Sequence, residues 1–323
     1  MAANNYAYAV TRIRVNENAL LTAGDMQRLL AAPDEAAARQ ILRDKGWDAA
    51  PSMEMQSILQ KEKAKTWSLM REILREDIHR LDVFLYADDY LNLKSAVKET
   101  RLEKEYDGIF SAGGSIPAEQ IRQAVSKKRF ELLPEDMAKA AKEALDVYLR
   151  TGDGQLSDIL LDRAALDSIY RAGQKSHSDF LRLYAEITVA GADLKIALRA
   201  QRTGKSKEFY ERAIAECDSL DKKMLIAAAM SGADALSDYL EKTAYAGGTE
   251  KFRSSMAAFE KWCDDLLIDK IRPQKYQPFG IEPLAAYVLA RENEMKSVRI
   301  ILSGKLNQLP AEMIKERIRE TYA

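Results

Sequence analysis

Apolar residues recur along this chain at steps of three and four. Between Met53 and Asp82, a strongly charged segment, Ile58, Leu59, Trp67, Met70, Ile73, Leu74, Ile78 and Leu81 fall on one stripe, the pattern of a helix with one buried face. Pro134 opens a second run in which Met137, Ala140, Ala141, Ala144, Leu145 and Tyr148 share a side, and Thr151–Gly152 offers its stop. Asp34–Lys45 reads as a shorter helix, with Asp34 placed to cap the first turn and Gly46 to close the last. A last helix is expected from Pro310, with Met313, Ile314, Ile318 and Tyr322 turned inward. No run alternates apolar and polar residues, and no Asn-Gly or Asp-Gly joins two β-branched runs. Asp107–Gly108 and Asp153–Gly154 adjoin helical patterns instead. The pattern predicts an all-α protein.

Breaks in the pattern fall at Gly113–Gly114–Ser115, Gly152–Asp153–Gly154, Gly247–Gly248 and the Pro273–Pro283 stretch. None is long or low in complexity, so helix bundles in series are expected rather than domains on flexible tethers. The chain holds only 15 glycines and 8 prolines in 323 residues, well below their usual shares of about 7% and 5%, which fits long helices with few turns.

One block repeats. Asn92-Leu93-Lys94-Ser95-Ala96-Val97-Lys98 returns 101 residues later as Asp193-Leu194-Lys195-Ile196-Ala197-Leu198-Arg199, and after another 101 as the weaker Glu294-Met295-Lys296-Ser297-Val298-Arg299. A second echo joins Ile41-Leu42…Gly46-Trp47 to Tyr239-Leu240…Ala244-Tyr245. Equal spacing of three copies predicts a threefold-repeated bundle, with domains at 1–107, 108–216 and 217–323. Repeats this long are unlike the 33–47 residues of helical-pair arrays, which disfavours a freestanding adaptor of that kind.

Charge and chemistry narrow the function classes. Lys plus Arg number 49 against 50 Asp plus Glu, a balance unsuited to a general nucleic-acid binder. Hydrophobic residues make up 47%, enough to fill a core. The start shows no apolar stretch behind a basic one, so no secretory signal is expected. The longest stretches without a charged residue, Met1–Thr11 and Gly108–Ala118, have eleven residues each, short of the roughly 18 a membrane-spanning helix needs. Cys217 and Cys263, with His79 and His177, do not make a zinc pattern.

Fragments that imitate active sites lack their contexts. Gly204-Lys205-Ser206 has Arg199 where a phosphate-binding loop needs its first glycine. Ser95…Lys98 and Ser219…Lys222 have an acyl-enzyme spacing without its companion motifs. The adjacent pairs Asp88–Asp89 and Asp264–Asp265 diverge by about 100° on a helix and read as solvated or capping residues. Glu62–Lys65 and Glu312–Lys315 read as solvated helix faces. Trp47, Trp67, Trp262 and the tyrosines read as core. No catalytic, cofactor or metal residue is expected, and a helical enzyme with a scattered site is the least favoured class.

Several motifs, in order, carry a family resemblance. The opening Tyr6-Ala7-Tyr8-Ala9-Val10-Thr11-Arg12-Ile13-Arg14, then Leu29-Leu30-Ala31-Ala32-Pro33 and Gly46-Trp47, resemble the C subunit of the bacterial and archaeal V-type (A-type) rotary ATPases, whose eukaryotic counterpart is the d subunit. Asp89-Tyr90-Leu91-Asn92-Leu93-Lys94 looks like that family's Asp-x-x-Asn-Leu-Lys signature. Leu161-Asp162-Arg163 to Tyr170, with Asp193-Leu194-Lys195, is similar to its middle region. Ile300-Ile301-Leu302-Ser303-Gly304-Lys305-Leu306 with Leu309-Pro310 is similar to its end. The third repeat departs from the signature, with Glu294-Met295 in place of Asn-Leu.

The resemblance implies a funnel of three similar helical domains. It would sit between the rotating shaft and the membrane proteolipid ring, carry rotation, and neither bind nucleotide nor conduct ions. It further implies a peripheral position on the cytoplasmic side, one copy per complex and a monomer in isolation. Lys94, Lys195 and Lys296 are each expected to pair with a nearby carboxylate at a helix seam. The alternative is that they shape a surface that meets partners. Gly113, Gly114, Gly247 and Gly248 are further partner-contact candidates.

Overall fold

The computed structural model describes residues 6–323 except 105 and 107. The start at Met1–Asn5, and Asp107 with the domain boundary and turn expected there, lie outside the described residues. Sixteen α-helices and no strand occur among the described residues. The first four are α1 (Ala7–Glu17), α2 (Ala23–Ala31), α3 (Glu35–Asp44) and α4 (Met55–Leu74). A 3-10 run, Arg75–Phe84, leads to α5 (Tyr86–Leu102), α6 (Ala118–Ser126), α7 (Glu135–Thr151) and α8 (Gly154–Lys175). Then come α9 (Asp179–Arg202), α10 (Lys207–Ala213), α11 (Lys222–Ser231) and α12 (Ala233–Leu240). The rest are α13 (Thr249–Ser254), α14 (Met256–Ile271), α15 (Glu282–Leu306) and α16 (Ala311–Lys315).

Short polar residues set the helix starts. Thr22 and Asp25 form a reciprocal capping box on α2, and the side chains of Asp34, Asp153, Ser178, Asp221 and Ser255 each accept a first-turn N–H. Such caps satisfy N–H groups that no helical carbonyl can reach, each worth about 1 kcal/mol. Gly152 closes α7 at φ +70°, the left-handed conformation for which a Cβ is a handicap. Of the expected breaks, 113–115 falls between helices, 152–154 runs from the end of α7 to the first residue of α8, 247–248 lies in a 3-10 turn, and 273–283 runs from a 3-10 turn into the first residues of α15.

Two expected helices end early. The Met53–Asp82 stripe is α-helical only to Leu74; the backbone turns at Arg75 (φ +50°) into the 3-10 run. There Leu81 and Phe84, three apart as 3.0 residues per turn allows, are buried together with Val83, and Ile78 is half-buried. The last helix stops at Lys315, and Met313 is exposed although Ile314 and Tyr322 are buried. Side chains of α14 and α15 hold the tail extended: Asp265 accepts the N–H of Glu320 (2.7 Å), Ser297 accepts that of Arg319 (3.2 Å), and the Asn293 amide donates to the Glu320 carbonyl (2.8 Å).

The chain divides into two compact units, Met1–His79 with Glu250–Ala323, and Arg80–Thr249. In the first, α15 is buried along most of its length, its interior positions including the polar Arg291, Asn293 and Glu294 as well as apolar residues. Its Met295, Val298, Ile301 and Leu302 share one core with Leu21, Leu29, Leu42, Trp47 and Ile58. That core joins residues assigned to the first and last thirds of the sequence. In the second unit, Leu93 and Val97 of α5 pack with Ile121, Val125, Met137, Leu145 and Leu161 from α6, α7 and α8.

Candidate functional site

The repeated block places a polar side chain in the interior three times. Asn92 on α5, Asp193 on α9 and Glu294 on α15 are 0%, 1% and 5% exposed. Each accepts a hydrogen bond from the main-chain N–H of a segment that leads into a short helix. Ser111, ahead of α6, donates at 2.7 Å to Asn92; Ala215, ahead of α11, at 3.0 Å to Asp193; and Leu21, ahead of α2, at 2.7 Å to Glu294. A buried N–H left unpaired costs about 1–3 kcal/mol, so each contact fixes a loop to a long helix. In the first two copies the segment follows its own helix. In the third it comes from near the other end of the chain.

The pins differ in chemistry. Asn92 engages both main-chain polar groups of Ser111, its amide also donating to the carbonyl at 2.9 Å. Glu294 belongs to a buried ionic network: Arg291 donates to Glu294 and, at 2.7 Å, to Glu62, and its guanidinium lies 5.1 Å over the Trp47 ring. Glu62 also accepts the Asp48 N–H at 3.0 Å and the Lys65 ammonium at 2.6 Å. Burial raises the Glu294 carboxyl, opposed by Arg291. Asp193 has neither device, and burial pushes it up to about 7. Glu62, read from the sequence as a solvated face, is 2% exposed, because Arg291 supplies a countercharge from 229 residues away.

The expected partner-contact residues lie as follows. Lys94 pairs with Asp162, and Lys296 with Asp264 at 2.7 Å. Lys195, half-buried, has no ion pair among the described residues. The Gly113 N–H donates to the Ser111 hydroxyl at 3.1 Å. A Cβ on Gly114 would stand 2.2 Å from Asp89 Oδ1, so this loop closes over Asp89 only because the residue is glycine. Gly247 is exposed and Gly248 buried, in a 3-10 turn where the Gly248 N–H meets the Tyr245 carbonyl at 2.9 Å. In the second echo, Leu42 and Trp47 match Leu240 and Tyr245; all four are buried, the leucines in the last turn of a short helix and the aromatic residues just beyond it.

In the acidic pairs Asp89 is buried and Asp88, Asp264 and Asp265 are half-buried. Asp89 is 1% exposed and accepts the Ile116 N–H (3.1 Å) and the Ser115 hydroxyl (2.5 Å). It borders a cavity of about 180 Å³ between Tyr86, Tyr90, Met137 and Arg171. Asp264 takes Lys296 and Arg319, and burial, which would raise its carboxyl, is outweighed by those two cations, leaving it below the usual range. Gly204-Lys205-Ser206 is a turn between α9 and α10, with Lys205 on Gln155 at 3.1 Å and Ser206 capping α10. Ser95 and Ser219 do not meet Lys98 and Lys222: Ser95 donates to the Ile109 carbonyl, Ser219 to Glu186, Lys98 to Asp158, and Lys222 to the Ile214 and Glu211 carbonyls. No group of three metal-ligating side chains gathers among the described residues. What the arrangement does is hold loops rigidly to long helices.

Known proteins share this sequence pattern. The profile of the ATP synthase (C/AC39) subunit matches residues 9–317. The C subunit of the A-type ATP synthase of Methanocaldococcus jannaschii is 22% identical, over 96% of this chain and 85% of its own length. The C subunit of the V-type sodium ATPase of Enterococcus hirae is 24% identical, over 82% and 81%. The C subunit of the V-type ATP synthase of Thermus thermophilus is 22% identical, over 98% and 99%. The chain belongs to the ATP synthase (C/AC39) subunit family.

Proposed function

We propose that this chain is the non-catalytic coupling subunit of a V/A-type rotary ATPase. It stands between the rotating shaft and the membrane proteolipid ring, so that ATP hydrolysis or synthesis is linked to ion transport. Family membership supports the complex, and no helix among the described residues is long and apolar enough to cross a membrane, which suits a peripheral subunit on the cytoplasmic side. The observation that carries the mechanical role is the set of three buried pins at one spacing. A protein that transmits torque must not shear internally, and packed cores with satisfied polar pins deform little without breaking contacts.

In this reading the three pinned units are the three similar domains of a funnel. The third is closed by the N-terminal segment, and one monomeric copy serves each complex. The test is a pull-down with the chain as bait from a detergent lysate of its source organism. Recovery of the shaft subunits together with the proteolipid ring is the result expected. Recovery of soluble partners unrelated to a motor would make the chain an adaptor instead.

A further inference from the structure

The first two copies of the repeat carry matching rows of cations on their long helices. On α5 the row is Lys94, Lys98 and Arg101; 101 residues on, on α9, it is Lys195, Arg199 and Arg202. Steps of four and three keep each row on one helix face. In the first copy the row is answered from within the chain. Lys94 pairs with Asp162 and Lys98 with Asp158 (2.8 Å), both on α8, while the Arg101 guanidinium lies 5.7 Å over the Tyr148 ring of α7. Rising numbers on α5 meet falling numbers on α8, so the row is covered by an antiparallel helix with carboxylates four residues apart. In the second copy the same three positions have no ion pair among the described residues. Arg199 and Arg202 are exposed and Lys195 is half-buried. We propose that this row is a docking face for a helix of a partner protein, lying antiparallel to α9 and carrying carboxylates four residues apart.

The chain does not repeat the acids along with the cations. One repeat beyond Asp158 and Asp162, α14 carries Phe259 and Cys263, so the acidic pair that answers the first row has no counterpart in sequence for the second. The third copy drops the row altogether. It keeps only Lys296, satisfied by Asp264 of α14 at 2.7 Å, with Ile300 and Ser303 at the other two positions. The row on α9 is thus the one of the three left unanswered among the described residues. Like charges one turn apart destabilise a helix, and carboxylates in register with them remove that repulsion. Residues four apart rise about 6 Å along a helix, so a second helix with acids at that spacing meets Lys195 and Arg199 together, as α8 meets Lys94 and Lys98. Ala192 and Ile196, half-buried beside Lys195, give the incoming helix a low apolar ledge. A lipid surface or a nucleic acid would answer the charge without the spacing, and a chain with 49 basic against 50 acidic side chains has no broad positive field to draw one in. The docking face does not depend on the coupling role.

The test titrates the full chain with an alanine-based helical peptide of about 18 residues that carries glutamates at i, i+4 and i+7. A control peptide of the same composition has them at i, i+2 and i+5, off a single face. Amide shifts of the labelled chain report both the affinity and the place of binding, at low ionic strength where exposed pairs are least screened. The in-register peptide is expected to bind roughly tenfold tighter than the control, about what three exposed ion pairs together supply, with the shifts centred on α9. Lys195→Ala, Arg199→Ala and Lys195→Ala/Arg199→Ala/Arg202→Ala are expected to reduce that preference stepwise to none. Lys127→Ala/Lys142→Ala/Lys175→Ala removes the same charge at three exposed lysines outside the row and is expected to keep it. Equal affinity for the two peptides, no binding of either, or an equal loss in both triple variants overturns the proposal. Vesicles containing phosphatidylglycerol are the third arm. Binding to them that needs the row, with no preference between the peptides, would assign the row to a membrane surface and likewise overturn it.

Discussion

Glu294 accepts the main-chain N–H of Leu21 at 2.7 Å, joining a helix near one end of the sequence to a loop near the other. The same bond in the other two copies spans 19 and 22 residues; here it spans 273. The third pin therefore joins the two ends of the chain, and its closure is a long-range event. Loop-closure entropy grows only slowly with length, so such a closure is tolerable once the core around α15 forms.

Glu294→Ala leaves the Leu21 N–H unpaired and Arg291 short of one carboxylate in a buried site. The expected loss is about 3–5 kcal/mol. Glu294→Gln, which keeps an acceptor for Leu21, is expected to lose less. Urea unfolding of the two variants checks the order.

Asn92→Ala strands both main-chain polar groups of Ser111, at a cost of about 1–3 kcal/mol for each group. Asn92→Asp copies the second repeat into the first. It is expected to behave like the parent at low pH and to lose stability as pH rises, because the buried acid then sheds its proton in the unfolded chain first. Thermal unfolding at pH 5 and pH 8 distinguishes the two.

Gly114→Ala pushes a methyl to 2.2 Å from Asp89 Oδ1, and overpacking of this kind costs about 1–3 kcal/mol. Gly247→Ala, at an exposed position, is expected to stay within about 0.5 kcal/mol of the parent. Denaturant midpoints of both variants test the contrast.

Asp264, held low by Lys296 and Arg319 against its burial, has the opposite sign to Asp193. Its contribution is present above the unfolded value and is lost as pH falls through the lower folded one. Asp264→Asn is therefore expected to flatten the acid limb of the stability curve below about pH 4. Acid titration monitored by circular dichroism shows whether it does.

The three lysines separate by partner. Lys94→Glu and Lys296→Glu turn an attraction into a repulsion with Asp162 and Asp264 and are expected to cost stability, by about 1 kcal/mol or somewhat more. Lys195→Glu breaks no ion pair among the described residues, so its stability is expected to hold while capture of the rotor subunits falls. Unfolding midpoints alongside pull-down yields resolve the two effects.

Local rules were enough for much of this fold. Asp34 caps and Gly152 closes where their chemistry predicts, because capping depends on residues within one turn. The 101-residue spacing marked Asn92, Asp193 and Glu294 as equivalent positions but drew attention to the lysines two places on; that the polar residues are the buried ones shows only once their loop partners are in place. What stayed hidden was pairing at long range. Glu62 and Asp89 look like surface charges because nothing nearby in sequence reveals Arg291, or the glycine loop that closes over Asp89. The tail after Lys315 looks helical because the side chains that hold it extended lie on α14 and α15.

The central claim is that this chain couples the shaft to the ring, and reconstitution tests it most directly. The intact complex and a complex stripped of this chain are placed in vesicles, and ATP-driven ion uptake is recorded beside ATP hydrolysis. The account predicts that stripping abolishes uptake while hydrolysis by the soluble motor persists, and that adding back the purified chain, itself without ATPase turnover, restores uptake. Undiminished ATP-driven uptake in vesicles lacking the chain would contradict it.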